Sequence, residues 1–162
     1  MGRKIRTAEY RALAELRYKI RCFLKEGDGA ARVAGLEPQQ YLMLLAIRGL
    51  ATEVSPKIQT FAERLSLKHH SAVELLDRLE QRGLVRRTRS KEDRRQVLVS
   101  LLPRGEKLLE TVVQQRISEL RASGRELVKA IEALLRDGRT RNSNGRLQNV
   151  ALGEENKSRA RK

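Results

Sequence analysis

Lys68-His69-His70-Ser71-Ala72-Val73-Glu74-Leu75-Leu76-Asp77-Arg78-Leu79-Glu80-Gln81-Arg82-Gly83-Leu84-Val85-Arg86-Arg87 is the stretch on which the fold turns, because the period of its apolar residues changes within it. Ala72, Leu75, Leu76 and Leu79 fall at i, i+3, i+4 and i+7, the spacing of one helical face. Lys68, His69, Ser71, Glu74, Arg78 and Arg82 fall on other faces, and Gly83 stands where a helix from about Lys68 to Arg82 should stop. Upstream, Pro56 opens a short helix carrying Ile58, Phe61, Ala62 and Leu65, and Ser66-Leu67 separates the two. Two short helices joined by a tight turn make a helix-turn-helix.

Downstream the period becomes two. Leu84 to Thr88 and Gln96 to Leu102 read as strands, the second alternating Val97, Val99 and Leu101 against Leu98 and Ser100. The polar residues Arg89 to Arg94 lie between them, so the pair reads as a hairpin with a charged tip. The predicted architecture is mainly α with a small β-hairpin wing: a winged helix-turn-helix.

The flanks are helical. Leu13, Leu16, Ile20, Phe23 and Leu24 form a stripe from Thr7 to about Glu26, where Gly27-Asp28-Gly29 is expected to interrupt the helix before a short resumption at Ala30 to Ala34. Gly35-Leu36-Glu37-Pro38 reads as a stop and a new start, Tyr41 to Ile47 is apolar nearly all round, and Gly49 ends that helix. Pro103 begins a long helix, and after Gly124 a second stripe appears at Leu127, Ile131, Leu134 and Leu135. From Asp137 to Lys162 the composition is polar and basic, and disorder is expected. The implied organisation is residues 1–34 as an N-terminal helical region, 35–102 as the winged helix-turn-helix, 103–136 as C-terminal helices and 137–162 as a basic tail.

Composition narrows the function. The 162 residues carry 35 Lys and Arg against 20 Asp and Glu, a formal charge of +15, with 40% apolar and 34% charged residues. That is enough apolar material for a core, and too much charge for a membrane protein. The longest apolar run, Leu42 to Ile47, is far short of the ~20 residues that cross a bilayer. Met1-Gly2-Arg3-Lys4-Ile5-Arg6 is basic but is followed by no apolar signal-peptide core, and a cytoplasmic protein is expected. One cysteine, Cys22, and two adjacent histidines supply neither a disulfide nor a metal cage. Gly27-Asp28-Gly29 has Arg32 where a dinucleotide turn needs its third glycine, and no phosphate-loop or zinc-protease motif occurs. No enzyme, cofactor or metal site is expected. Nucleic acid is the leading partner.

The second helix of a helix-turn-helix enters the roughly 12 Å major groove with its N-terminus against base edges. This singles out Lys68, His69, His70 and Ser71, with Glu74 one turn on and Arg78 beyond it. His70 has a competing core reading, since Val73 and Leu76 follow at i+3 and i+6. On the hairpin Arg86, Arg87, Arg89, Lys91, Arg94 and Arg95 surround the acids Glu92 and Asp93. Such a protruding basic element suits a narrow minor groove, and Asp93 is fitted to orient an arginine through a forked ion pair.

Gly35-Leu36-Glu37-Pro38-Gln39-Gln40-Tyr41, Phe61-Ala62-Glu63-Arg64-Leu65, Leu76-Asp77-Arg78-Leu79-Glu80, Arg82-Gly83-Leu84-Val85-Arg86-Arg87 and Glu92-Asp93-Arg94-Arg95, continuing through Leu101 to Gly105, together resemble the multiple-antibiotic-resistance regulator (MarR) family over about residues 35 to 110. The resemblance implies a homodimer held by the first helix and the last two. It implies a pseudo-palindromic double-stranded DNA operator, commonly bound as a repressor. By position Asp93 and Arg95 match the family's wing Asp-x-Arg pair, with Arg95 the minor-groove reader, Asp93 its support and Arg94 beside it. Where a Thr-Arg pair often stands in the family's recognition helix, this sequence has Val73-Glu74.

Relatives are often released from DNA by a small aromatic ligand, for which Tyr18, Phe23, Tyr41 and Met43 are candidate contacts, though their helical spacing favours plain core. Some relatives sense hydroperoxides through a cysteine in the first helix; here Cys22 stands among Arg17, Lys19, Arg21 and Lys25, and a half-buried helix residue is the favoured reading. A third alternative is an architectural basic protein that binds nucleic acid without reading sequence.

Overall fold

The computed structural model describes residues 4–91, 93 and 96–151, the side chains of residues 136–151 excepted. In chain order the elements are α1 (Thr7–Val33), α2 (Pro38–Arg48), α3 (Ile58–Arg64), α4 (His69–Gln81), β1 (Val85–Arg89), β2 (Val97–Leu101) and α5 (Pro103–Ala151). The chain divides into two compact units, one of residues 24–120 and one of residues up to 23 together with those from 121.

The 24–120 unit holds the core. Leu36, Met43, Leu44, Phe61, Leu76, Leu79, Leu84, Val85 and Val112 are almost wholly removed from water. Apart from Leu36 and Leu84, which lie in the turns before α2 and β1, each comes from the apolar face that its element's period marks out, so α2, α3, α4, the hairpin and the start of α5 close around one cluster. β1 and β2 pair antiparallel in the register Val85↔Leu101, Arg87↔Val99 and Arg89↔Val97. This puts Val85 and Val99 inward and Arg86, Thr88 and Ser100 outward.

Three turns are closed by left-handed residues, one of them Gly35 (φ 77°) between α1 and α2. Gly83 (φ 66°) ends α4, its N–H donating to Glu80 O and the Leu84 N–H reaching back to Leu79 O at 3.0 Å. Ser66 (φ 53°) does the same between α3 and α4, with the Leu67 N–H on Ala62 O at 2.8 Å. Gly105, in the first turn of α5, is a case of close approach: a Cβ there would lie 2.1 Å from the Leu84 carbonyl oxygen.

Three segments differ from the sequence-based expectation. α1 runs unbroken through Gly27-Asp28-Gly29. Gly27 is buried beneath the Arg116 side chain, whose Nε would be 3.3 Å from a Cβ at that position, so the glycine admits a neighbour instead of ending the helix. Arg116, 8% exposed, carries ion pairs to Glu26 and Glu119. α5 likewise passes Gly124 and runs as one helix to Ala151, where a break and a second helix were expected; residues 152–162 of the expected basic tail lie outside the described residues. No proline follows Pro103, and a lone glycine costs a helix only about 1 kcal/mol. Finally, Pro56 precedes α3 without opening it. Lys57 forms a bridge with Leu98 and Pro56 O accepts the Val99 N–H at 2.9 Å, so this short extended segment flanks β2.

In the other unit, the residues of α1 before 24 and of α5 after 120 carry i,i+3 and i,i+4 ion pairs, Lys129–Glu126 at 2.8 Å and Lys19–Glu15 at 3.6 Å. Tyr10, Leu13, Tyr18, Val128, Ile131 and Leu135 lie exposed there.

Candidate nucleic-acid interface

α4 begins with Lys68 as its N-cap residue, in extended backbone at φ −67° and ψ 149°, and no side chain caps its first turn. Its amide N–H groups therefore face outward unclaimed by a local side chain, and the terminus carries the partial positive charge of the helix dipole. Lys68, His69, His70, Glu74 and Arg78 are exposed and Ser71 is half-buried. The opposite face, Ala72, Leu75, Leu76 and Leu79, is buried. His70 belongs to the exposed set, against the competing core reading.

His69 has one defined partner. Its Nδ1 lies 3.3 Å from Gln59 Oε1, while the Gln59 amide nitrogen donates to Glu63 Oε1 at 2.8 Å. The Glu63 carboxylate accepts only, which fixes the amide with its nitrogen toward α3 and its oxygen toward the histidine.

Arg87 ties the hairpin to α4. Its amide N–H and Nε donate to the two oxygens of Glu80 at 2.9 and 2.8 Å, and its terminal nitrogen lies 2.6 Å from Glu80 and from Asp77. These bonds hold the Glu80 carboxyl below its ordinary value, the backbone N–H contributing most, and hold the Arg87 guanidinium charged. A second tie comes from Arg82, whose guanidinium donates to Gln40 Oε1 at 2.6 Å and to Gly35 O at 2.8 Å. Gln40 is buried, and its oxygen also accepts the Glu37 N–H at the start of α2.

On the hairpin, Arg86, Arg89 and Lys91 are exposed. Ser90 is buried, its N–H on Gln96 O, and Gln96 donates to the Asp93 carboxylate at 2.8 Å. Arg94 and Arg95 lie outside the described residues, so their expected partnership with Asp93 is not among these contacts. Asp93 aside, the described candidates thus divide in two. Lys68, His69, His70, Ser71, Glu74, Arg78, Arg89 and Lys91 line accessible surface on α4 and the wing. Arg87 has its donors engaged within the domain. Sequence reading did not single out Gln59 or Arg82, whose partners lie 10 and 42 residues away.

Among the described residues no cluster of His, Cys, Asp and Glu is arranged to hold a metal ion, and no helix is long and apolar enough to cross a membrane. Tyr41 and Met43 are core residues, and Phe23 is half-buried. Cys22 is half-buried, and a hydrogen bond with it raises the phenol of Tyr18, one turn earlier, above its ordinary value.

Comparison with known proteins agrees with this geometry. The family model described as MarR family matches residues 34–96. The HTH-type transcriptional repressor MdtR of Bacillus subtilis (strain 168) is 33% identical over 82 residues, 51% of each chain, so the match spans about half the length of that relative. The crystal structure of AbsC, a MarR family transcriptional regulator from Streptomyces coelicolor, superposes with a TM-score of 0.65 at 17% identity, covering 88% of this chain and 99% of AbsC. A mutant of S. aureus MepR bound to oligodeoxyribonucleotide gives a TM-score of 0.56 at 18% identity, covering 83% of this chain and 94% of MepR. The family model thus matches the winged-helix segment, and the solved structures share the backbone fold over most of the chain.

Proposed function

We propose that this chain is a transcriptional regulator that binds double-stranded DNA by sequence, as a homodimer on a pseudo-palindromic operator, and acts in the cytoplasm as a repressor without catalytic activity. The observation that carries the reading is the accessible polar face of α4, Lys68 to Arg78, beside a wing whose Arg86, Arg89 and Lys91 are exposed, in a chain of charge +15. An α-helix of this width fits a major groove, and a cationic hairpin reaches phosphates or the adjacent minor groove. On this reading Arg94 and Arg95 contribute at the wing tip, and Arg87 holds the wing in place.

The dimer is supported by two exposed apolar stripes. Tyr10, Leu13, Ile20 and Leu24 fall on one face of α1, and Ile117, Leu120, Val128, Ile131 and Leu135 on one face of α5. Residues 1–34 and 103–136 accordingly serve dimerisation in this reading. Repression is carried over from the name of MdtR, and DNA binding has its parallel in the oligonucleotide complex of MepR. Release by a small aromatic ligand completes the proposal; a cleft of about 420 Å³ lined by Leu45, Leu109 and Val113 together with Arg48, Glu106 and Glu110 offers mixed apolar and charged surface for it.

The test is selection of bound duplexes from a random library by the purified protein at physiological salt. An inverted repeat with half-sites roughly 10 bp apart is expected. Affinity should fall on the order of a thousandfold between low and moderately high salt. Lys91→Ala should weaken all sequences alike and reduce the salt slope by about one. DNA retained without any enriched sequence would overturn the reading in favour of an architectural protein.

A further inference from the structure

We infer that His69 is a specificity-determining residue held in one tautomer, presenting a hydrogen-bond acceptor to the major groove and selecting an exocyclic amino group of adenine or cytosine. The inference rests on the DNA-binding reading and adds to it the sense of one base contact.

The chain of reasoning begins at Glu63. A carboxylate offers only acceptors, so the Gln59 atom 2.8 Å from it is the amide nitrogen and the amide oxygen faces His69. That oxygen is an acceptor, 3.3 Å from His69 Nδ1, and the ring nitrogen must bring the proton. A neutral imidazole has one N–H, so Nε2 is left with its lone pair. Glu63 and Gln59 are one turn apart on α3, and His69 is the first residue of α4. The relay therefore spans the turn of the helix-turn-helix and fixes the ring at the end of α4 that approaches base edges.

An outward lone pair accepts from adenine N6 or cytosine N4. It repels guanine O6 and N7, thymine O4 and phosphate oxygens, all of which are acceptors. His69 would then discriminate among bases, unlike the neighbouring Lys68, a point charge suited to phosphate.

Two measurements test this. The first is the long-range proton–nitrogen spectrum of the His69 ring in the free protein at mildly alkaline pH. The Nδ1–H form is expected in the wild type, with reversion toward the Nε2–H form that free imidazole side chains favour in Gln59→Leu. An Nε2–H ring in the wild type, or no change in Gln59→Leu, overturns the relay.

The second is duplex selection with wild type, His69→Ala and His69→Arg. At one position in each half-site the wild type should prefer adenine or cytosine by about tenfold, a preference lost in His69→Ala and turned to guanine in His69→Arg. A wild-type preference for guanine that disappears in His69→Ala overturns the acceptor assignment, and equal loss across all sequences makes His69 a phosphate contact. If the wild type enriches no sequence while the ring is found as Nδ1–H, the DNA-reading proposal fails and takes the base assignment with it, while the relay stands.

Discussion

Arg87 of β1 forks onto Glu80 of α4, giving one carboxylate both its backbone N–H and its guanidinium. The two residues are seven apart in sequence, separated by the end of a helix and the Gly83 turn, and the fork sets the angle at which the hairpin leaves α4. A wing fixed in this way presents Arg89 and Lys91 at a constant distance from the exposed face of the helix. The acidic residues of α4 serve the arrangement too: Asp77 and Glu80 share the single positive charge of Arg87, while Glu74 is exposed and takes no part in the fork.

Arg87→Ala should therefore lower stability by about 1 kcal/mol, a charge-assisted pair discounted for partial exposure. The sign with pH follows from Glu80, whose carboxyl is held below the ordinary 4.5 in the folded protein. A depressed folded value means that the contribution is present above 4.5 and is lost as pH falls through the folded value. Denaturant titrations should thus separate wild type from Arg87→Ala at neutral pH and converge in strong acid. A constant difference across that range would assign the loss to packing of the arginine stem.

Gly105→Ala should be more damaging than its chemistry suggests. The added Cβ would meet the Leu84 carbonyl oxygen at 2.1 Å, and that oxygen already accepts the Leu102 N–H. Backbone on both sides leaves no rotamer to relieve the overlap, so α5 must shift away from the α4–β1 connection. A cost of about 1–3 kcal/mol is expected, against the small gain alanine brings to an open helix position. Thermal unfolding of the variant gives the sign directly.

Ser66→Gly should act in the opposite direction. Ser66 occupies left-handed backbone at φ 53°, where an L side chain is strained and glycine is not. Relief of that strain should exceed the extra freedom glycine gains on unfolding, for a net stabilisation of about 0.5 kcal/mol. A loss of stability in a urea titration would mean that the serine side chain makes a compensating contact.

The elements that were legible in the sequence are those where period, turn chemistry and capping agree. α4 was placed within a residue at either end because the buried face at 72, 75, 76 and 79 and the stop at Gly83 point the same way. The strands lie within a residue of their expected ends for a similar reason: the alternation around Val99 admits one register. Continuity of α1 and α5 was not legible, because a glycine that admits Arg116 and one that ends a helix are the same letter. The site divides likewise. Exposure of Lys68 and His69 follows from the helical period, whereas that of His70, which also has apolar neighbours at i+3 and i+6, is settled only by packing. The engagement of Arg87 with Glu80, and of His69 with Gln59, depends on side chains that meet only after the elements have packed.

The exposed stripes of α1 and α5 lead to the last prediction. Leu13 is 50% exposed and Ile131 40%, each on a face with other exposed apolar residues. Covering two such stripes with those of a second copy is the closed, self-complementary arrangement that a two-fold dimer provides. The wild type should sediment as a dimer, and the double substitution Leu13→Glu with Ile131→Glu should sediment as a monomer with unchanged helical content. If two copies bind one operator, separating them converts a linked second contact into an independent one, and operator affinity should fall about a hundredfold or more. Binding to an isolated half-site should change little, since α4 and the wing lie within the 24–120 unit. A variant that stays dimeric would place the contact elsewhere on the chain, and a monomer that binds the full operator with wild-type affinity would remove dimerisation from recognition.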